Sequence, residues 1–209
     1  MNTTERANDM RNFFNEKIDT YDQVHSEFLP TKKLLADNLP NDSKRKLDLG
    51  CGTGLELIEV FKRFPNIQVT GIDISDKMLE ELQKRPFSTN VTTICGDFFT
   101  TDFGTEYDAV ISTSALHHFF EKEKLILYKK ILQALKDGGY FINCDRIAVS
   151  TEEEQEAIYN YNHRLSEFKH LDTPLTKENE LRLLQEAGFR EISSQNGNKE
   201  NYLLTLAKK

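Results

Sequence analysis

Leu47-Asp48-Leu49-Gly50-Cys51-Gly52-Thr53-Gly54 is the stretch on which the reading of this 209-residue chain turns. Lys46 to Leu49 reads as a short strand that breaks at Gly50. Leu55 to Phe64 follows with apolar residues at 55, 57, 58, 60, 61 and 64, the spacing of a buried helix. Three glycines at alternate positions between strand and helix permit a tight turn and let a ligand lie against bare backbone. The G-x-G-x-G spacing is not the G-x-x-x-x-G-K-[ST] phosphate loop, and no Lys stands where that loop needs one. It also departs from the dinucleotide pattern G-x-G-x-x-G, because Thr53 and Leu55 flank the third glycine. Taken alone, such a turn can equally be a plain connection.

Outward from this turn the chain keeps alternating. Ile67 to Ile72 is a second strand, Val91 to Ile94 a third and Tyr107 to Ile111 a fourth. Ser75 caps a helix whose face carries Met78, Leu79 and Leu82. Leu125 to Leu135 is helical by its spacing and is expected to end at Gly138-Gly139, before a fifth strand at Tyr140 to Cys144. Thr176 caps another helix, which stops at Gly188, and Phe189–Ser193 with Asn201–Ala207 reads as a final strand pair. Strands alternating with helices specify an α/β fold with a doubly wound, mostly parallel sheet. One domain over residues 1–209 is expected. Segments 1–40 and 145–174 add little to the sheet pattern and are expected to cover the site.

Two acids give the glycine turn a meaning. Asp73 ends the second strand, about twenty residues on, where a carboxylate can accept both hydroxyls of a ribose. Asp97 follows the third strand in Cys95-Gly96-Asp97-Phe98-Phe99, where it can accept from an adenine amino group while an aromatic packs on the ring. All three features stand at C-terminal strand ends, where open α/β sheets bind ligands. Separately, Asp73 is also an ordinary helix N-terminal acid and Asp97 an ordinary turn former. Their joint placement favours a nucleoside site.

On these residues the chain resembles the class I S-adenosylmethionine (SAM)-dependent methyltransferases, of the group with many small-molecule members. LDLGCGTG matches that family's first motif, GIDIS its second, GDFF its third and YDAVISTSALHHF its fourth. LKDGGYFINCD resembles its strand-five segment, with Asp137 where Pro is usual. The resemblance is firm over roughly residues 45–145, and its pattern of terminal helix and strand pair continues to 209. It implies a Rossmann-like, seven-stranded sheet with an antiparallel final strand, and SAM as cofactor with S-adenosylhomocysteine (SAH) as product. By this resemblance Gly50, Cys51 and Gly52 line the methionine portion and Asp73 holds the ribose. Ile74 and Met78 pack on adenine, Asp97 and Phe98 read its edge, Thr113 lies beside the methionine portion, and Tyr21 of Tyr21-Asp22 closes over the cofactor.

The acceptor's side is less legible. Leu116-His117-His118 is expected to begin the helix after strand four and to shape the pocket. Adjacent histidines point apart on a helix, so no shared metal is expected. His117 is the weak candidate for a general base. Tyr159 and His163, Tyr161 and Leu165, and the aromatics Phe13, Phe14 and Phe28 suit either core packing or contact with an acceptor.

Composition narrows the function classes. The net charge of −7, without a basic cluster, argues against a grip on the phosphate backbone of nucleic acid, and the resemblance implies a small-molecule substrate. No apolar run approaches the ~20 residues that span a bilayer. The polar N-terminal stretch has no apolar signal region, and a cytoplasmic location is expected, with the oligomeric state, monomer or homodimer, left open. Cys51, Cys95 and Cys144 form no CxxC, which suggests neither a disulfide framework nor a zinc site. Three rival readings stand beside methyl transfer. The ALHHF segment and the insertion after strand five resemble enzymes that make carboxy-SAM for wobble-uridine modification, but no arginine matches the one that pairs the extra carboxylate. An NAD-binding oxidoreductase is disfavoured by the glycine spacing, and a non-catalytic SAM-binding protein would carry the same cofactor motifs.

Overall fold

A computed structural model describes residues 3–163 and 172–209. Seven strands form one sheet in the order β3-β2-β1-β4-β5-β7-β6. They are β1 (Arg45–Leu49), β2 (Gln68–Asp73), β3 (Val91–Cys95), β4 (Tyr107–Thr113), β5 (Leu135–Arg146), β6 (Arg190–Asn196) and β7 (Tyr202–Lys208). The strands from β3 to β5 pair in parallel, and β7 inserts antiparallel between β5 and β6. This is the Rossmann-like sheet with its antiparallel final strand. The strand order reverses between β1 and β4, and at such a switch point the loops leaving the two strands diverge and open a crevice.

Period-two alternation divides the core. Leu47, Leu49, Val110 and Phe141 pack on one face beneath α5 (Glu121–Ala134) and α7 (Lys177–Ala187). Ile111, Ile142 and Cys144 pack on the other with Leu57, Val60 and Phe61 of α3 (Leu55–Arg63). Leu35, Ala36 and Leu39 join that second core from α2 (Leu29–Asp37) and the residues after it. The first forty residues are therefore not cover throughout: α2 belongs to a core layer, and α1 (Thr3–His25) roofs the strand ends.

The α5–β5 junction also differs from the glycine-stop reading. Helix α5 ends at Ala134, and Leu135 is already extended, at φ −74° and ψ 143°. Gly138 and Gly139 lie inside β5, within a register shift where Tyr107 pairs with Leu135 but Ala109 with Tyr140. They serve a bulge in the strand instead of stopping the helix. Among the described residues no helix is long and apolar enough to cross a membrane.

Candidate cofactor and acceptor cleft

The glycine turn is built by backbone bonds from the neighbouring strand. Gly50 N and Cys51 N donate to Ile72 O at 2.8 and 3.3 Å. Gly50, Gly52 and Gly54 all have positive φ, the region L side chains avoid. The Asp73 carboxylate closes the arrangement: Oδ2 accepts from Gly52 N and Oδ1 from Ser75 N, both at 2.8 Å. Ser75 in turn caps α4 (Asp76–Leu82), accepting from Met78 N at 3.1 Å. Burial pushes the Asp73 carboxyl up to about 6, against the pull of those two N–H donors.

Around this centre lies a cleft. Tyr21, Gly50, Cys51, Gly52, Asp73, Ile74, Met78, Asp97, Phe98 and Thr113 all line it, although they come from five separate segments of chain. Asp97 shapes its own turn, its Oδ1 accepting from Phe99 N at 2.7 Å. Thr113 Oγ1 is buried without a hydrogen-bond partner. Ser114, next along, is a non-glycine residue at φ +54°; such strain gathers at ligand sites.

Helix α1 is sewn over this cleft by contacts that no local motif announces. Arg11 Nε donates to Ile74 O at 3.0 Å, and Asn15 Nδ2 to Asp76 Oδ1 at 2.9 Å. Asp22 accepts from Thr53 Oγ1 at 2.6 Å and pairs with Arg85, whose Nε also reaches Thr53 O at 3.0 Å. The Tyr21 ring stacks on His25 with centroids 3.9 Å apart, and burial followed by the charge of Glu56 holds its hydroxyl protonated far above the usual range.

One end of the cleft is acidic. Lys32 Nζ contacts Glu56 Oε2 at 3.1 Å, and both residues line the cleft although nearly excluded from solvent. Beneath them Asp48 is fully buried, its carboxyl driven well above the ordinary range by burial and then by Glu56. Sequence reasoning missed this pair. Lys32 and Glu56 stand 24 positions apart on different helices, so no spacing connects them.

The histidines are also placed differently from the helical reading. Leu116–His118 forms a 3-10 turn ahead of α5, not the start of that helix. His118 and Phe119 line the cleft, whereas His117 does not. The His117 ring is buried, with Nδ1 2.6 Å from Asp145 Oδ1, and it is held below its usual pKa by burial and by His118. Phe14 lines the cleft and meets His118 edge-on, with centroids 5.8 Å apart. Tyr159 and His163 stack on each other in α6 (Thr151–His163), outside the cleft lining, and Tyr159 is exposed. Leu165, Phe168 and His170 lie outside the described residues.

Residues 47–139 match the family described as "Methyltransferase domain". The chain is 26% identical over 198 residues to a carboxy-S-adenosyl-L-methionine synthase of Nautilia profundicola, covering 86% of this chain and 83% of that protein. A cypemycin N-terminal methyltransferase of a Streptomyces species is 33% identical over 61% of this chain, which spans about half (54%) of that relative. Among solved structures, the DhpI–SAH complex matches with a TM-score of 0.77 over 99% of this chain and 98% of its own, at 15% identity, a likeness of fold. With the glycine turn, the strand-end acids and the reversed sheet order converging on one cleft, the chain carries over residues 47–139 a methyltransferase domain of the class I SAM-dependent kind.

Proposed function

We propose that the cleft binds SAM and directs its methyl group to a small-molecule acceptor. The observation that carries this reading is the convergence of the ten residues above on a single cleft. The walls suit the cofactor's chemistry. Asp73 offers a carboxylate to the ribose hydroxyls, and Ile74, Met78 and Phe98 give an apolar slot for adenine beside Asp97. Glu56 and Lys32 present an acid and a cation to an amino-acid end, and Thr113 Oγ1 awaits a partner there. SAM supplies an already activated methyl group, so the residues have only to bind, orient and exclude water, an effect worth up to ~7–11 kcal/mol. The acceptor would enter past Phe14, His118 and Phe119. A second reading, synthesis of carboxy-SAM, is favoured by the relative that spans most of the chain. Mass spectrometry of the nucleoside that co-purifies separates SAM from carboxy-SAM.

The ribose role has a direct test. Asp73→Ala should weaken SAM and SAH binding by ~1.5–3 kcal/mol, the value of a hydrogen bond to a charged group. Because the folded carboxyl titrates at about 6, SAM should bind more tightly as pH rises through that value and level off above it. Stability runs the other way. The unfolded carboxyl loses its proton near ~4 while the folded one keeps it to about 6, so the native state binds the extra proton in that window and stability falls as pH rises across it. Calorimetry that finds unchanged affinity in folded Asp73→Ala, or a flat pH profile for the wild type, would remove the ribose role.

Helix α1 of segment 1–40, and the described residues of segment 145–174, are proposed as cover that shapes acceptor choice. Tyr21→Ala should loosen SAM and slow transfer, since Tyr21 Oη lies 3.8 Å from where a Gly52 side chain would begin. Hydrogen exchange across residues 5–25 should slow when SAM binds. Exchange as slow as in the sheet without ligand would argue for fixed packing in place of a lid.

A further inference from the structure

The turn at Leu116–His118 holds more order than pocket shaping requires. Asp145 Oδ2 accepts from Leu116 N at 2.8 Å and His117 N at 3.0 Å, while Oδ1 accepts from Arg146 N at 2.8 Å and faces His117 Nδ1 at 2.6 Å. With its Nδ1–H donated to Asp145, a neutral His117 turns the Nε2 lone pair outward. Thr173 N donates to His117 O at 2.8 Å, which pins the neighbouring Asp172 against the turn. Asp172 Oδ1 then lies 3.5 Å from His117 Nε2 and 3.0 Å from His118 Nδ1, while Arg146 Nη1 contacts the other oxygen, Oδ2, at 3.3 Å.

We propose that His117, His118 and Asp172 bind a zinc-class divalent cation at the acceptor side of the cleft. The three donor atoms lie within 4.8 Å of one another. Ligands ~2.0–2.2 Å from a tetrahedral zinc stand roughly 3.3 Å apart, close to both measured separations from the carboxylate. Two imidazoles and a carboxylate form the donor set of sites that keep a fourth position open, and borderline-soft metals favour it over magnesium. Asp145 behind His117 and Arg146 behind Asp172 supply the outer contacts that orient such ligands. Because His118 lines the cleft, the open position would meet an acceptor's hydroxyl or carboxylate oxygen. The adjacent histidines converge because they lie in a 3-10 turn and share Asp172, which the helical reading could not foresee.

The test needs neither SAM nor turnover. The full chain carries Cys95→Ser, because Cys95 is an exposed thiol that would itself take up metal. Stripped with a chelator, it is titrated with Zn²⁺ by calorimetry and with Co²⁺ by visible absorption. One equivalent of Zn²⁺ and a tetrahedral Co²⁺ spectrum are expected, with no Mg²⁺ uptake. His118→Ala and Asp172→Asn should each weaken Zn²⁺ binding at least a hundredfold, and Asp145→Asn about 10–100-fold. Urea midpoints establish that each variant is folded, and the partly exposed Asp172 is the position best able to tolerate change. Absence of a stoichiometric equivalent, or affinity unchanged in both His118→Ala and Asp172→Asn, overturns the site.

Discussion

Replacing Lys32 with methionine is expected to destabilise the protein by ~3–5 kcal/mol, the cost of breaking a buried ion pair by removing one partner. Lys32 meets Glu56 with both side chains at most 6% exposed. Three carboxyls, Asp48, Glu56 and Asp73, crowd this end of the cleft. Asp48 titrates well above its ordinary value because of burial and Glu56, and Lys32 is the cation that draws it back. Methionine fills similar volume but leaves that repulsion unopposed. The pH dependence has a definite sign. An acid whose folded pKa is raised binds an extra proton in the native state, so stability falls as pH climbs from the unfolded value to the folded one. Removing Lys32 extends that window upward, and the loss should be larger near about pH 8 than near about pH 5. Adding Glu56→Gln should recover part of the loss, because a neutral pair carries no uncompensated charge. Urea unfolding at both pH values measures this; a loss below about 1 kcal/mol, or one independent of pH, would show that the pair is not bearing on the acids as described.

What the sequence disclosed and what it withheld follow one physical division. Strands and helices write their burial into local periodicity, so β1 to β4 and α7 were legible, and the segments following β1, β2, β3 and β4 could be located as strand ends. Asp73 and Asp97 are legible because a strand end is a position in sequence as well as in space. Contacts between segments leave no such trace. Asp22 with Thr53 and Arg85, Lys32 with Glu56, and Asp172 with the two histidines join residues that no period relates. The weak general-base candidate His117 does not line the cleft, whereas His118, the other histidine of the same 3-10 turn, does. The burial of α2 did have a signal, in Leu34, Leu35, Ala36 and Leu39, but it was submerged in the polar residues of the first forty.

Gly50→Ala is expected to cost ~2–5 kcal/mol of stability and to weaken SAM binding at least tenfold, through two separable causes. The first is backbone strain: at φ +76° a side chain costs ~1–2 kcal/mol. The second is a collision. A Cβ at Gly50 would stand 2.5 Å from Ala115 Cβ, and relieving such overpacking costs ~1–3 kcal/mol. Ala115 cannot yield freely, because it follows Ser114 at φ +54° and precedes Leu116, whose N–H is fixed by Asp145. The glycine turn must move instead, and with it the Gly52 N–H that holds Asp73. Gly138→Ala isolates the strain, since Gly138 has φ +75° and a Cβ there meets nothing within 4 Å. That variant should lose only ~1–2 kcal/mol and bind SAM normally. Ala115→Gly removes the obstructing methyl, so the double variant with Gly50→Ala should fall back toward the strain-only loss and recover affinity. The cycle of both single variants and the double, read by urea unfolding and calorimetry, gives the collision as a coupling energy. Were Gly50→Ala no worse than Gly138→Ala in either measurement, or were Ala115→Gly to rescue nothing, the close approach of the strand-four exit to the glycine turn would not be what shapes the cofactor end of the cleft.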